Sequence, residues 1–331
     1  MSDIKTNGGP EPSSAIGQSM RAIVFDDYGD ASVLHPAERP VPKPDSDEVL
    51  IAVRASSVNP VDYRLRSGEM KGLLPGGFPR IPGYDVAGTV VQCPQGSGLT
   101  AGDSVMAFLD SLRGGALAEY AACGVSAVAK IPPEMSYEQA AAIPLAGSTA
   151  LQSLRDHGRM QSGQRVLVNG ASGGVGMFAV QIAKAYGCHV DAVASGENEA
   201  FCRELGADHF YDYLQTDFAK SDERWNIVFD AAGKSGYLDV REVLLEGGRY
   251  VSTEPDVKGM LMTVLTWPLS KSGTIMLAKS KAEDLEELIR LFVEKKLAVT
   301  IDSVYDFEDA AEAHRRVETG VDRGKVVIRV A

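Results

Sequence analysis

Residues 166–176 read Val-Leu-Val-Asn-Gly-Ala-Ser-Gly-Gly-Val-Gly, and the architecture of the chain can be worked out from this stretch. A buried apolar run leads into a glycine-rich turn, and the turn leads into a helical pattern. Backbone N–H groups and the helix dipole make such a helix N-terminus an anion-binding site. Gly173 and Gly174 would let the main chain approach a pyrophosphate, and Gly176 would let the helix pack closely on the strand. Because Ala171 stands where a strict G-x-G-x-x-G has its first glycine, the turn alone is also compatible with a plain connection.

The same residues fit a second pattern. Residues 170–174 match G-x-S-x-G, the nucleophile elbow of the α/β-hydrolases, with Ser172 as the nucleophile. A triad in the order Ser, Asp, His could use Asp230 and His314. His314 falls in the middle of a predicted helix, residues 310–317, whereas a catalytic histidine normally occupies a loop. An esterase of this kind is therefore kept only as an alternative.

Strands and helices alternate on the C-terminal side of this turn. The turn opens a helix at residues 173–186, and the apolar and periodic segments that follow predict strands at 190–194, 209–211, 226–229 and 249–252 and helices at 200–205 and 237–245. Such alternation predicts βαβ crossovers and a parallel sheet that is covered on both faces. Residues 284–293 form an amphipathic helix, and residues 325–330 read as a last strand.

The N-terminal side reads differently. Short alternating runs broken by Pro and Gly predict strands at 21–25, 48–55, 85–92 and 103–108. The first helical period is at residues 136–142, where Ser136 can cap the helix. Residues 1–18 are rich in Gly, Pro and Ser and lack the apolar region of a signal peptide, so we expect a disordered tail.

Composition excludes several classes of protein. The 331 residues, of which 44% are hydrophobic and 24% charged, are typical of a globular protein of two domains. A net charge of −12 argues against nucleic acid as a partner, and the absence of an apolar run of about 18 residues argues against a membrane span. The four scattered cysteines have no zinc-ribbon or disulfide spacing, which indicates free thiols and a cytoplasmic location.

The ribose end of a dinucleotide is usually recognised at the tip of the second strand. Here that tip, residues 193–195, carries no carboxylate, and Asp191 falls too early in the strand. Without a carboxylate to repel a 2′-phosphate, the sequence favours NADPH over NADH. Arg203 and Lys325 are the candidate phosphate partners, and Ser195 is either a contact to this ribose or simply a helix cap.

Several further blocks make the chain recognisable. They are VNPVD at 58–62, IPGYDVAG at 81–88, AGDSVM at 101–106, GALAEY at 115–120, AIPLAGSTAL at 142–151, GADHF at 206–210, FDAAG at 229–233 and GKVV at 324–327. With them, the chain resembles the zinc-independent, quinone oxidoreductase-like branch of the medium-chain dehydrogenase/reductase superfamily, from about residue 20 to residue 330.

The resemblance implies an α/β protein with a GroES-like β domain and a Rossmann domain, the latter a doubly wound parallel sheet. We expect a tail at 1–19, the GroES-like catalytic domain at 20–148, the NADP-binding domain at 149–281, and a segment at 282–331 that returns to the catalytic domain. The cleft between the domains would hold the nicotinamide, and a homodimer is compatible with this resemblance.

The resemblance also answers the question of zinc. Zinc-dependent relatives carry Cys where Asn59 stands, and His and Glu where Tyr84 and Asp85 stand. An amide and a phenol are poor zinc ligands compared with a thiolate and an imidazole. We therefore expect that the chain binds no zinc.

Other site residues follow from the same resemblance. Asn59 would lie against the nicotinamide ribose and amide, where its donor and its acceptor are both useful. The remaining cofactor contacts that we expect are Thr149, placed at the opening of a helix, Ser172, Gly173, Gly174, Val175 and Gly176 of the turn, Ser195, Tyr213 near the adenosine phosphate, and Lys325.

The absence of zinc restricts the chemistry. Hydride transfer to a quinone or an enone leaves a delocalised enolate that hydrogen bonds can stabilise, so no metal cation is needed. The proton can come from solvent or from Tyr63 or Tyr84. Each of these tyrosines could equally be a residue that only lines the wall of the substrate site. We expect an NADPH-dependent quinone or enone reductase, with a nonenzymatic NADPH-binding protein on the same fold as a further alternative.

Overall fold

The computed structural model describes residues 17–72, 77–109, 114–254, 257–266 and 269–331. Its strands are β1 Ser19–Val24, β2 His35–Pro40, β3 Glu48–Val58, β4 Asp85–Gln92, β5 Ser104–Phe108, β6 Tyr120–Gly124, β7 Val128–Lys130, β8 Arg165–Asn169, β9 His189–Ala194, β10 His209–Asp212, β11 Trp225–Asp230, β12 Leu244–Ser252, β13 Ser272–Ile275, β14 Ile301–Tyr305 and β15 Lys325–Arg329. Its helices are α1 Pro60–Ser67, α2 Tyr137–Ala141, α3 Pro144–Gln152, α4 Gly174–Ala185, α5 Glu199–Glu204, α6 Tyr237–Val240, α7 Val257–Thr266, α8 Ala282–Val293 and α9 Ala310–Glu318.

The first domain is built on a mainly antiparallel sheet in the order β14-β15-β3-β4-β5-β7, with β6 also paired to β3. The long strand β3 lies at its centre, because its side chains are buried along most of its length. The last strand, β15, lies antiparallel to β3 and parallel to β14. The last strand therefore shares a sheet with β3, whereas β1 and β2 pair in a separate two-stranded sheet.

The second domain is a parallel sheet in the order β10-β9-β8-β11-β12-β13. All five neighbouring pairs are parallel, and the strand order changes direction next to β8. In open sheets of this kind ligands bind beyond the carboxyl ends of the strands at that point. The glycine turn after β8 lies there, and the expected α/β fold class is confirmed.

One hydrophobic core joins the two sheets. It contains apolar residues of the first sheet (Ala55, Ala87, Met106), of α3 and α8, and of the parallel strands. α3 packs against both α4 and α8, so this buried helix connects the two domains. The relative position of the two sheets is thus fixed by packing, and with it the cleft between them.

Several predictions of detail were wrong. The predicted helix at 237–245 is a short helix that ends at Val240, and β12 already begins at Leu244, because Leu244 pairs with Trp225 of the parallel sheet. Thr149 does not open a helix: it lies buried in the middle of α3, which begins at Pro144. The predicted disordered tail falls, except for its last residues, outside the described residues. Within the described part of the chain, no helix combines the length and apolar character needed to cross a membrane.

Candidate active site

The glycine turn joins β8 to α4 at the carboxyl edge of the parallel sheet. Gly170 has a φ of +83°, a conformation that favours glycine. A Cβ atom at position 176 would lie 2.0 Å from the carbonyl oxygen of Gly170, so only glycine lets α4 sit this closely on the strand. Gly173 precedes the first turn of α4, whose N–H groups receive no side-chain cap among the described residues. These N–H groups are available to an anion.

Gly173 and Gly174 differ in what surrounds them. A Cβ atom at Gly173 would meet only the carbonyl oxygen of Gly170, at an ordinary 3.5 Å. A Cβ atom at Gly174 would lie 2.8 Å from Cδ of Lys325. Position 173 thus borders the cleft, whereas position 174 is packed against the lysine stem from the other domain.

Asn59 is held in one orientation by three neighbours. It precedes the first turn of α1, and its backbone N–H donates to Asp62 Oδ2 at 2.7 Å. Its amide nitrogen donates to Asp85 Oδ2 at 2.7 Å, and its amide oxygen accepts from Lys325 Nζ. One amide hydrogen and one lone pair of Asn59 take no part in these bonds, and the residue is 1% exposed in this structure.

The cluster around Asn59 buries three ionisable side chains. Asp85 also accepts hydrogen bonds from Ser57 Oγ at 2.5 Å and from the backbone N–H of Leu145 at 2.7 Å, and its Oδ2 lies 3.8 Å from Lys325 Nζ. Burial lowers the pKa of Lys325, while Asp85 raises it. Burial, together with the nearby Asp85, raises the pKa of Asp62 to about 7. One ammonium thus compensates two carboxyl groups in a space closed to water.

The pKa of Asp62 predicts a pH dependence of stability. Because the folded pKa, about 7, lies above the unfolded value of 3.8, the contribution of Asp62 is fully present below about pH 4 and is lost as the pH rises through 7. The free energy of unfolding of the parent, relative to Asp62→Asn, should therefore fall by up to about 1.4 kcal/mol per pH unit across this window. Chemical denaturation at a series of pH values measures it. The exposed Asp222→Asn variant should keep a constant difference from the parent, and a constant difference for Asp62→Asn would contradict the prediction.

The two candidate tyrosines differ in environment. Tyr84 is 8% exposed, and burial, with a contribution from Asp62, raises the pKa of its phenol above the ordinary value. The phenol therefore keeps its proton at neutral pH, and the raised pKa makes it a weaker acid than an exposed tyrosine. Tyr63 lies on α1 and is half-buried. Its neighbour Arg64 forms a two-pronged ion pair with Glu254, just after β12, at 2.9 and 3.0 Å, which closes one side of the cleft.

At the opposite end of the cleft, β9 ends at Ala194. Ser195 Oγ accepts from Asn198 Nδ2 at 2.9 Å, and Tyr213 follows β10 with 59% of its surface exposed. Both side chains thus lie where the adenosine ribose is expected. Asp191 lies inside β9, where it accepts hydrogen bonds from Trp225 Nε1 and Arg165 Nε, which agrees with its exclusion from this site.

The remaining predicted residues occupy different surroundings. Ser172 is nearly buried, and its carbonyl oxygen accepts the N–H of Gly324 at 3.2 Å. Val175 is half-buried in the first turn of α4. Thr149 is buried inside α3. The ammonium of Lys325 bonds to Asn59 and to the carbonyl oxygen of Val58, so in this structure it is directed into the cluster around Asn59.

Sequence reasoning missed Arg323. Its Nε donates to Asn198 Oδ1 and its Nη2 donates to the carbonyl oxygen of Glu197, each at 2.7 Å. The sequence places this arginine about 130 positions after the second strand, and only the return of β15 brings it to the tip. Arg203, the predicted alternative, is instead paired with Glu199 on α5 at 2.8 Å.

The hydrolase triad is wrong. His314 is fully buried in α9, and neither ring nitrogen has a hydrogen-bond partner among the described residues. Burial, with the charge of Arg66, lowers the pKa of His314 to about 3. Asp230 is occupied by Asn169, Ser235 and Tyr250. His314 and Asp230 thus cannot serve Ser172 as a base and an orienting carboxylate.

The donor set around Asn59 does not suit a zinc ion. The amide nitrogen of Asn59 points at Asp85, and the lysine ammonium occupies the same cluster, where it would repel a divalent cation. Across the residues that the structure describes, no group of three or more His, Cys, Asp or Glu side chains is arranged to hold a metal. The glycine turn, by contrast, fits a dinucleotide phosphate.

Two family models match the chain. The alcohol dehydrogenase GroES-like domain matches residues 45–133, and a model described as zinc-binding dehydrogenase matches residues 205–328. The second description names a metal, but a match to this segment carries no ligand, because Asn59, Tyr84 and Asp85 lie outside it.

Among curated proteins, the chloroplast envelope quinone oxidoreductase homolog of Arabidopsis thaliana is 35% identical, covering 94% of this chain and 99% of that protein. The NADPH-dependent alkenal/one oxidoreductase of the same plant is 33% identical, covering 95% of this chain and 81% of that protein. Among solved structures, the quinone oxidoreductase from Coxiella burnetii superposes with a TM-score of 0.83 at 32% identity, covering 95% of this chain and 100% of that one.

Proposed function

The chain belongs to the quinone oxidoreductase-like branch of the medium-chain dehydrogenase/reductase superfamily, and we propose that it transfers hydride from NADPH to a quinone or an α,β-unsaturated carbonyl compound without zinc. One observation carries the proposal: the glycine turn of the parallel sheet faces the Lys325–Asn59 pair of the other domain. Gly174 packs on the stem of Lys325, and the ammonium of that lysine bonds to Asn59. A dinucleotide on the turn would therefore have its nicotinamide half at Asn59.

The residues at this end are suited to binding and orienting. When bound, NADPH supplies the hydride. Asn59 offers its free amide hydrogen and lone pair in one fixed direction, because Asp85 and Lys325 hold the other two. Asn59, Asp85 and Lys325 are buried, and the exclusion of water strengthens these hydrogen bonds. An amide fixed in this way can select one face of the nicotinamide ring and one rotational orientation of its carboxamide.

The substrate class follows from the negative charge that develops on the acceptor during hydride transfer. Reduction of an isolated ketone places negative charge on one oxygen, and a metal cation is the usual means of stabilising it. A quinone or enone spreads this charge over an enolate, for which hydrogen bonds suffice. We propose that the final proton comes from solvent or from the Tyr63 or Tyr84 phenol. The relatives named as quinone and alkenal reductases support this class.

The function is tested by oxidation of NADPH and NADH with a panel of quinones, enones and simple aldehydes, before and after treatment with a chelator. We expect turnover with quinones or enones, kcat/KM about tenfold or more higher with NADPH than with NADH, no loss on chelation, and zinc far below one per chain. A tenfold preference corresponds to about 1.4 kcal/mol.

Each alternative has its own outcome in this experiment. Stoichiometric zinc whose removal abolishes turnover would overturn the zinc-independent mechanism. Tight NADPH binding without turnover of any acceptor would favour the nonenzymatic binding protein. A cytoplasmic location and a homodimer remain proposals, and the wide spacing of the four cysteines, which has no disulfide or zinc-ribbon pattern, supports the former.

A further inference from the structure

Three consecutive residues contact three separate parts of the proposed cofactor site. Arg323 bonds to Glu197 and Asn198 at the tip of the second strand, at the adenosine end. Gly324 donates its N–H to the carbonyl oxygen of Ser172 in the glycine turn at 3.2 Å. Lys325 reaches Asn59 at the nicotinamide end. One short segment thus contacts the second-strand tip, the glycine turn and Asn59.

This segment belongs to the catalytic domain, although two of its contacts lie on the Rossmann domain. β15 begins at Lys325 and is paired with β3 and β14. Gly324 has a φ of +77°, and a Cβ atom there would lie 2.4 Å from the carbonyl oxygen of Thr300. The backbone before β15 is therefore tightly confined. This fixed backbone places the side chain of Arg323 at the second-strand tip.

We propose that Arg323 recognises the 2′-phosphate of NADPH, so that the choice between NADPH and NADH is made by a residue of the catalytic domain and not of the Rossmann domain. This inference rests on the proposed function, since it assigns a residue to the cofactor proposed there.

The negative charge at the second-strand tip makes a nearby cation necessary for binding a 2′-phosphate. The carboxylate of Glu197 lies 3.4 Å from Ser195 Oγ, and it would repel a 2′-phosphate. Among the described residues, Arg323 is the cation that bonds to this loop, and Arg203 is held away by Glu199. A guanidinium can neutralise the phosphate and bind it with two parallel N–H groups.

The present contacts of Arg323 leave it ready for an anion. Its side chain is exposed, its partners are a carbonyl and an amide oxygen and not a carboxylate, and its guanidinium lies 5.6 Å from the ring centre of Phe201. Neutral partners hold an arginine less strongly than a phosphate dianion does. A phosphate arriving beside Ser195 can therefore recruit the guanidinium while the backbone stays in place.

The test compares Arg323→Gln with Arg203→Gln, a matched loss of one arginine charge on the neighbouring helix. Equilibrium dissociation constants are measured for NADPH, NADH, adenosine 2′,5′-bisphosphate and AMP, so that the result does not depend on turnover. We expect Arg323→Gln to weaken NADPH and the bisphosphate by about tenfold or more, with NADH and AMP within about twofold of the parent. Arg203→Gln should match the parent for all four, and Arg323→Lys should restore part of the loss because it keeps the charge without the planar fork.

The outcomes separate this inference from the proposed function. If the parent binds NADH as tightly as NADPH, the proposed cofactor is wrong and the inference fails with it. If the parent prefers NADPH and Arg323→Gln leaves the preference unchanged, the inference alone is wrong and a residue other than Arg323 recognises the phosphate. Equal weakening of NADPH and NADH would show that Arg323 merely supports the loop.

Discussion

Replacing Gly173 with valine is expected to raise the dissociation constant for NADPH by about a hundredfold, or about 2.7 kcal/mol, while the protein remains folded. The backbone at Gly173 has φ −72° and ψ 173°, an extended conformation that valine adopts readily. Its Cβ would meet only an oxygen at 3.5 Å inside the protein, so the added methyl groups extend into the cleft, where the pyrophosphate would approach α4. Titration of the purified variant with NADPH measures the loss, and denaturant unfolding should show a change within about 1 kcal/mol.

Two companion variants sharpen this result. Gly77→Val places a Cβ atom where no heavy atom of the described residues, apart from the chain neighbours, lies within 4 Å, and it should bind NADPH like the parent. Gly174→Val should lose both affinity and stability, because its Cβ collides with the buried stem of Lys325. If Gly173→Val bound NADPH normally, the turn would be only a connection between strand and helix.

Replacing Lys325 with methionine is expected to lower the free energy of unfolding by about 3–5 kcal/mol at neutral pH. The two side chains have similar volume, but the variant leaves Asp85 buried without its cation at 3.8 Å and removes the donor to the Asn59 amide oxygen. Urea denaturation measures the change. The exposed Lys281→Met variant should differ from the parent by less than about 0.5 kcal/mol.

A double variant keeps this prediction testable if Lys325→Met does not fold. Asp85→Asn in the same chain removes the uncompensated carboxylate, so the pair of changes should cost less than the sum of the two single changes. A loss below about 1 kcal/mol for Lys325→Met, or simple additivity with Asp85→Asn, would contradict the view that the ammonium compensates the buried carboxylates.

The sequence was informative where function depends on local structure. The strand, turn and helix at residues 165–185, the parallel sheet and the packing role of Gly176 all follow from a pattern within one short segment. The exclusion of Asp191 from the ribose site also followed from its place inside a strand. Periodicity and glycine sterics act over a few residues, so a single sequence contains them.

The sequence was uninformative where distant segments meet. The bond between Lys325 and Asn59 joins residues 266 positions apart, and no local pattern shows which way the ammonium of a lysine before a strand will turn. Arg323 was missed for the same reason. Thr149 was misplaced because Ser148 resembles a helix cap, whereas the proline at position 144 had already begun that helix.

The pairing of the last strand with the third also affects the time course of synthesis. Val58 and Lys325 are 267 positions apart, and at about 5–20 residues per second a ribosome needs roughly 13–53 s to make the intervening chain. During that interval one edge of β3 has unpaired backbone groups, and the apolar side chains that Val326 and Ile328 later cover are exposed. The Rossmann domain can fold in the meantime, but the GroES-like domain cannot close. A nascent chain of this protein therefore presents an open strand edge for tens of seconds, which is the period in which chaperone binding matters most and premature aggregation competes with folding.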